Sequence, residues 1–141
     1  MTALRFIKLM LILAPVVLVV DLLWLGVVMK DFYGQEIGPL LRRNDNGLAP
    51  RWGAAIVVYL LIPAGLIFFV LPQLTAQSSA GSAILRGALF GFVMYGIYDF
   101  TNLSVLEKWT LRITIVDMAW GTVLCGGIAW LMQVTDRWLG Q

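Results

Sequence analysis

Polar residues interrupt this chain at few places, and between them lie four long apolar runs. They extend over about 9–29, 53–72, 83–103 and 111–134, and the second, GAAIVVYLLIPAGLIFFVLP, carries no charge. Each approaches the roughly 20 residues that a helix needs to cross a hydrocarbon core. Barrel strands would be about 10 residues long and would alternate in polarity, which these runs do not. The pattern predicts an all-α integral membrane protein: a four-transmembrane-helix bundle in a single membrane domain, 1–141.

The connections add detail. Arg5 and Lys8 resemble the basic start of a signal peptide, but the first run is too long and no small-x-small site follows it. The longest connection, 31–51, contains FYGQEIGPLLRR. That segment predicts a short interfacial helix with Phe32, Ile37, Leu40 and Leu41 toward lipid. NDNG, just after it, predicts a turn. Pro63 predicts a kink in the second span.

Composition agrees with the pattern. The chain is 60% hydrophobic and 13% charged, against about 45–50% and 25% in soluble domains. The net charge of +2 gives no reason to expect a nucleic-acid partner; the expected surroundings are the lipid bilayer. The absence of histidine removes histidine metal ligands, histidine bases and Ser-His or Cys-His pairs. With a single cysteine no intrachain disulfide forms. No cofactor and no metal site emerge. Lys30, Arg42, Arg43, Arg51, Lys108 and Arg112 fall on one side of the bilayer, and Arg5, Lys8, Arg86 and Arg137 on the other. The positive-inside rule then places both termini outside, though so even a balance also allows mixed insertion.

Against this background three aspartates stand out, because Asp21, Asp99 and Asp117 lie inside spans. Each costs about 2.5–3.5 kcal/mol at a helix centre, which the surrounding Leu, Ile and Val offset. Helices alternate in direction, so all three fall in one half of the membrane. Their depths are roughly 12–13, 6 and 8–9 Å at the α-helical rise. Tyr95, Tyr98, Asp99 and Asn102 share one helix face, as do Thr110, Thr114, Asp117 and Gly121. Trp24 and Trp120 each follow an aspartate by three residues. The expected site is therefore Asp21, Trp24, Tyr95, Tyr98, Asp99, Asn102, Thr114, Asp117 and Trp120. In it Asp99 stands at the entrance, Asp117 beside it and Asp21 at the floor. A structural alternative pairs Asp99 or Asp117 with Arg112 or Lys108. Gly87-x-x-x-Gly91 offers a close-packing face, for a homodimer or for a helix of the same chain. VVDLLWLG (19–26) also echoes IVDMAWGT (115–122), a hint of an inverted relation between the two ends.

The segments DLLWLG, KDFYGQEIG, LRGALFG, YGIYDFTNL and KWTLRITIVDMAWG resemble a family of small bacterial inner-membrane proteins catalogued as a domain of unknown function. The resemblance runs from Asp21 to Gly121. It implies that Asp99, Thr101, Asn102, Asp117, Trp120 and Gly121 belong to the family pattern, and it carries no activity with it.

Intramembrane ionisable residues mark functional sites by default. The leading expectation is a small carrier whose carboxylates bind a proton or a small cation. A membrane enzyme or accessory subunit acting on a lipid ligand is the alternative, and a structural partner of another membrane protein is the third.

Overall fold

The computed structural model describes residues 1–45 and 47–140. Four of its helices are long and apolar enough to cross a membrane: Ala3–Val28, Trp52–Gln73, Ala80–Val105 and Leu111–Leu139. The first is α1 (Ala3–Leu23) with a π-helical turn, Trp24–Val28. A short helix α2, Lys30–Ile37, follows, as the amphipathic reading of that connection expects. Next comes α3 (Trp52–Gly65), which ends in a second π-helical turn, Leu66–Val70. Helices α4 (Ala80–Val105) and α5 (Leu111–Leu139) complete the bundle. A two-residue antiparallel ladder pairs Arg43 with Leu48 and Asn44 with Gly47. It brackets the turn expected from NDNG, of which Asn46 lies outside the described residues.

Side-chain oxygens fix where the helices start. Thr2 accepts from the Arg5 amide at 3.3 Å, Ser79 from Ser82 at 3.1 Å and Thr110 from Ile113 at 3.2 Å. Each satisfies one of the first-turn N–H groups that has no partner within its helix. Pro63 sits inside α3, where its ring removes the hydrogen bond to the carbonyl four residues back. The π-helical turn begins three residues later.

The inward stripes follow a spacing of four. On α1 the buried positions are Leu9, Leu13, Val17 and then Asp21. On α4 they are Ala83, Gly87, Gly91 and then Asp99. The carboxylates thus continue the core-facing rows rather than the lipid-facing ones. Leu9, Leu13, Val17, Leu66, Ile67 and Met132 fill the centre at 0% exposure. Outward positions such as Leu11, Val27, Ile97 and Val123 are exposed apolar side chains, as a surface solvated by acyl chains requires.

The most extensive packing joins α4 to α5. A β-carbon on Gly91 would fall on the Gly121 carbonyl and 2.7 Å from Cys125 Cβ. One on Gly87 would meet Ala129 and the Cys125 carbonyl, and one on Gly121 would enter the Tyr95 ring. The Gly87-x-x-x-Gly91 face is therefore consumed within the chain and is not free for a second copy. Small residues permit this approach because helix association in lipid rests on close van der Waals contact. At one end of the bundle the Arg5 guanidinium donates twice to Asp136, both bonds at 2.6 Å, and so ties α1 to α5. At that end Arg137 and Gln133 also donate to the Ser78 carbonyl, which pins the connection before α4.

Gly91→Ala is expected to lower stability by about 1–3 kcal/mol through overpacking. Gly127→Ala, whose β-carbon would meet nothing within 4 Å, should be neutral or slightly stabilising. Unfolding in mild detergent checks the contrast, and equal effects of the two changes would contradict the seam.

Candidate functional site

The three intramembrane aspartates lie in one half of the bundle, on three different helices, and they are bound differently. Asp21 accepts from the Tyr59 hydroxyl at 2.9 Å and from Trp120 Nε1 at 2.8 Å. Asp117 accepts from the Tyr33 hydroxyl, and that same hydroxyl accepts from Trp24 Nε1 at 3.3 Å. The Trp24 and Trp120 rings stack with centroids 4.2 Å apart and planes within 2°. Each Asp-x-x-Trp segment therefore supplies one carboxylate, one indole and half of the stack. Trp120 reaches Asp21 directly, whereas Trp24 reaches Asp117 through Tyr33. The echo between the two segments becomes a crossed pair of hydrogen-bonded arms.

Asp99 is different. It is 0% exposed, and neither of its carboxyl oxygens has a donor. The Asp117 carboxyl of α5 is its charged neighbour. An ionised carboxylate accepts and cannot donate, so two such groups together satisfy neither. A buried acceptor without a donor is costly, typically about 1–3 kcal/mol and more for a charged group. A proton held between the oxygens, or a donor-bearing cation brought from outside, would satisfy the pair.

The other expected residues divide. Tyr95 and Tyr98 line the cavity that reaches Asp21 and Asp117, and Asn102 stands beside the Tyr98 side chain. Thr114 lines neither cavity that reaches Asp117: it is fully buried, accepts from Trp109 Nε1 at 3.2 Å and donates to the Thr110 carbonyl at 3.1 Å. Asp99 is not at an entrance, because its side chain is 0% exposed. Ile37 is 7% exposed and packs inward rather than toward lipid, since α2 folds back over the site. Arg112 pairs with Glu36 at 3.1 Å and lies over the Phe32 ring at 5.2 Å, so it is engaged away from the aspartates. Glu36 also accepts from Thr110 at 2.5 Å, which holds α2 against the start of α5.

Sequence reading missed Tyr33 and Tyr59. Tyr59 carries the one side-chain hydroxyl in the otherwise apolar second run, a signal that was available. Tyr33 offered none, because its position follows from the fold-back of α2.

Two cavities reach Asp117, and Asp99 lines neither of them. One, of about 460 Å³, lies between α3 and α4 and has Asp21 and Asp117 among its lining residues. The other, of about 550 Å³, lies under α2 and the segment after it, lined by Lys30, Tyr33, Ile37, Arg43, Trp109 and Asp117. Leu25, Tyr98 and Asp117 belong to both. Among the described residues no three Asp, Glu or Cys side chains converge as metal ligands.

Fold and site together define a polytopic helical membrane protein with a buried carboxyl–aromatic cluster. Over residues 6–134 the sequence matches the family described as predicted membrane protein (DUF2177), and the chain belongs to that family. Comparison with curated proteins and with solved structures finds no match.

Two expectations follow from these bonds. Asp21→Asn and Trp120→Phe should be non-additive, with a coupling of about 0.5–3 kcal/mol in a double-mutant cycle of unfolding; strict additivity would show that the Trp120–Asp21 bond contributes nothing. Burial, and then the Asp117 charge, push the Tyr33 hydroxyl pKa up. A raised pKa favours the protonated group in the folded state. The resulting stability is fully present below the unfolded value of about 10 and is lost as pH rises beyond it. Tyr33→Phe should therefore flatten the fall in melting temperature above about pH 10; an unchanged alkaline slope would contradict this.

Proposed function

We propose that this protein is a small carrier that takes up a donor-bearing cation at the Asp99–Asp117 pair in exchange for a proton. The observation that supports the reading most is Asp99: a fully buried carboxyl with no donor on either oxygen, set against a second carboxyl. A purely structural lock would satisfy its acceptors, as Asp21 is satisfied by Tyr59 and Trp120. A cation bearing N–H groups supplies what the pair lacks, and a proton supplies it when the cation is gone. Such charge-assisted bonds are among the stronger ones available.

The surroundings fit a gated site. Neither of the two ion pairs found among the described residues, Arg5–Asp136 and Arg112–Glu36, involves an aspartate of the cluster. Apolar side chains (Leu13, Val17, Leu66, Leu124 and Ile128) close the other half of the bundle. Both π-helical turns, Trp24–Val28 and Leu66–Val70, interrupt spans that line the site or its floor, and such turns recur at functional positions. In this reading the protein resides in a bacterial inner membrane with both termini outside.

The test uses purified protein in proteoliposomes with a trapped pH indicator. Guanidinium is the probe, since it carries N–H donors and a permanent charge. An outward guanidinium gradient should drive inward proton movement. Asp99→Asn and Asp117→Asn should each slow it by about tenfold or more, the value of one lost charged hydrogen bond. Proton movement that is absent in the wild type, or unchanged in both variants, would sink the carrier reading.

A further inference from the structure

We infer that the cation carries an apolar tail and enters the site sideways from the bilayer, between α3 and α4. This rests on the cation-binding reading above and adds the class of ligand and its route.

The geometry supports a lateral opening. Helix α4 meets the α3 span through the Leu66–Val70 turn, where Gly65 lies beneath the Phe90 ring. Toward the other end of α3 the two helices part, and the space between them is the 460 Å³ cavity. Its walls are Ala55, Val58, Leu61 and Ile62 on α3 with Met94 and Tyr95 on α4. Val58 and Leu61 are exposed apolar side chains at its mouth, on the surface that faces acyl chains. The volume falls within the range of about 300–1,000 Å³ usual for small-molecule sites.

Charge identifies the occupant. The cavity contains Asp21 and Asp117 and neither lysine nor arginine. Behind Asp117 stands Asp99, buried and without a donor. The second cavity, under α2, is lined by Lys30 and Arg43. A free cation approaching from water would pass those two charges to reach Asp117, whereas the lipid side presents no such barrier. An apolar wall that ends in two carboxyl groups and no protein cation matches an amphiphile whose head is cationic and carries N–H donors. A quaternary ammonium brings charge but no donor, so it leaves Asp99 unsatisfied. Anionic lipids are excluded by repulsion from the carboxyl groups.

The experiment measures saturable binding to protein in nanodiscs of neutral lipid, with empty nanodiscs subtracted. Three labelled probes are compared: guanidinium, dodecylguanidinium and dodecyltrimethylammonium. Dodecylguanidinium should bind saturably, lose that binding in the Asp99→Asn/Asp117→Asn double variant, and exceed dodecyltrimethylammonium by at least about tenfold. Ala55→Phe and Val58→Phe fill the cavity and its mouth at separate points. Whichever retains the wild-type melting temperature should weaken dodecylguanidinium by about tenfold and leave guanidinium unchanged. If both fold and neither weakens dodecylguanidinium, the lateral route is wrong while the cation site stands. If both melt lower, photo-crosslinking from a diazirine at the dodecyl terminus decides: labelling of 52–62 and 91–98 supports the route, and labelling elsewhere overturns it. Equal binding of the quaternary probe overturns the donor requirement. If neither guanidinium compound binds, the cation-binding reading itself falls.

Discussion

The structure depends on how closely α4 approaches α5. Lipid offers no hydrophobic force to hold two helices together, so contact area must do it. Gly87, Gly91 and Gly121 provide that contact by having no β-carbon where backbone and ring atoms of the facing helix come to rest. The consequence for the site is geometric. Once Gly91 is set on Gly121, the antiparallel register carries Tyr95 over Gly121 and brings Asp99 to Asp117. The glycine seam and the carboxyl pair are one feature: the seam sets the distance at which two groups that repel when ionised are held together.

Much of this was legible in the sequence, and the limits are instructive. The four apolar runs become four spanning helices because acyl chains cannot hydrogen-bond a backbone, so each run must satisfy its own amides. The three aspartates share one half of the bundle, as their depths implied. Their individual environments were not legible. Periodicity shows which face a residue occupies but not which donor reaches it, and the donors come from far along the chain. Tyr33 arrives from α2, whose fold-back depends on Glu36 being held by Thr110 and Arg112. For the same reason Ile37 turned inward and Arg112 was taken by Glu36. Thr114 lay on the expected face, yet it serves Trp109 instead of the cavity.

The contrast between Asp21 and Asp99 separates stability from chemistry. Asp21 has two neutral donors and continues the Leu9–Leu13–Val17 stripe, so it serves as a polar fastener between α1, α3 and α5. Breaking such a bond costs stability. Asp99 has no fastener's bonds to break, and its burial opposes folding unless something else satisfies it. A polar group retained under that penalty is the kind of feature that intramembrane function accounts for. The stacked tryptophans join the end of the first span to α5, with Trp120 bonded to Asp21 and Trp24 linked to Asp117 through Tyr33.

The central claim is that the Asp99–Asp117 pair is a ligand site and not a structural lock. Solid-state NMR of protein carrying ¹³C-labelled aspartate in lipid bilayers tests it most directly, by following each side-chain carboxyl resonance as guanidinium is added. The account predicts saturable shifts at Asp99 and Asp117, while Asp136, already engaged by Arg5 at 2.6 Å, stays where it is. Resonances of Asp99 and Asp117 that do not move, at guanidinium concentrations that leave the protein folded, would contradict it.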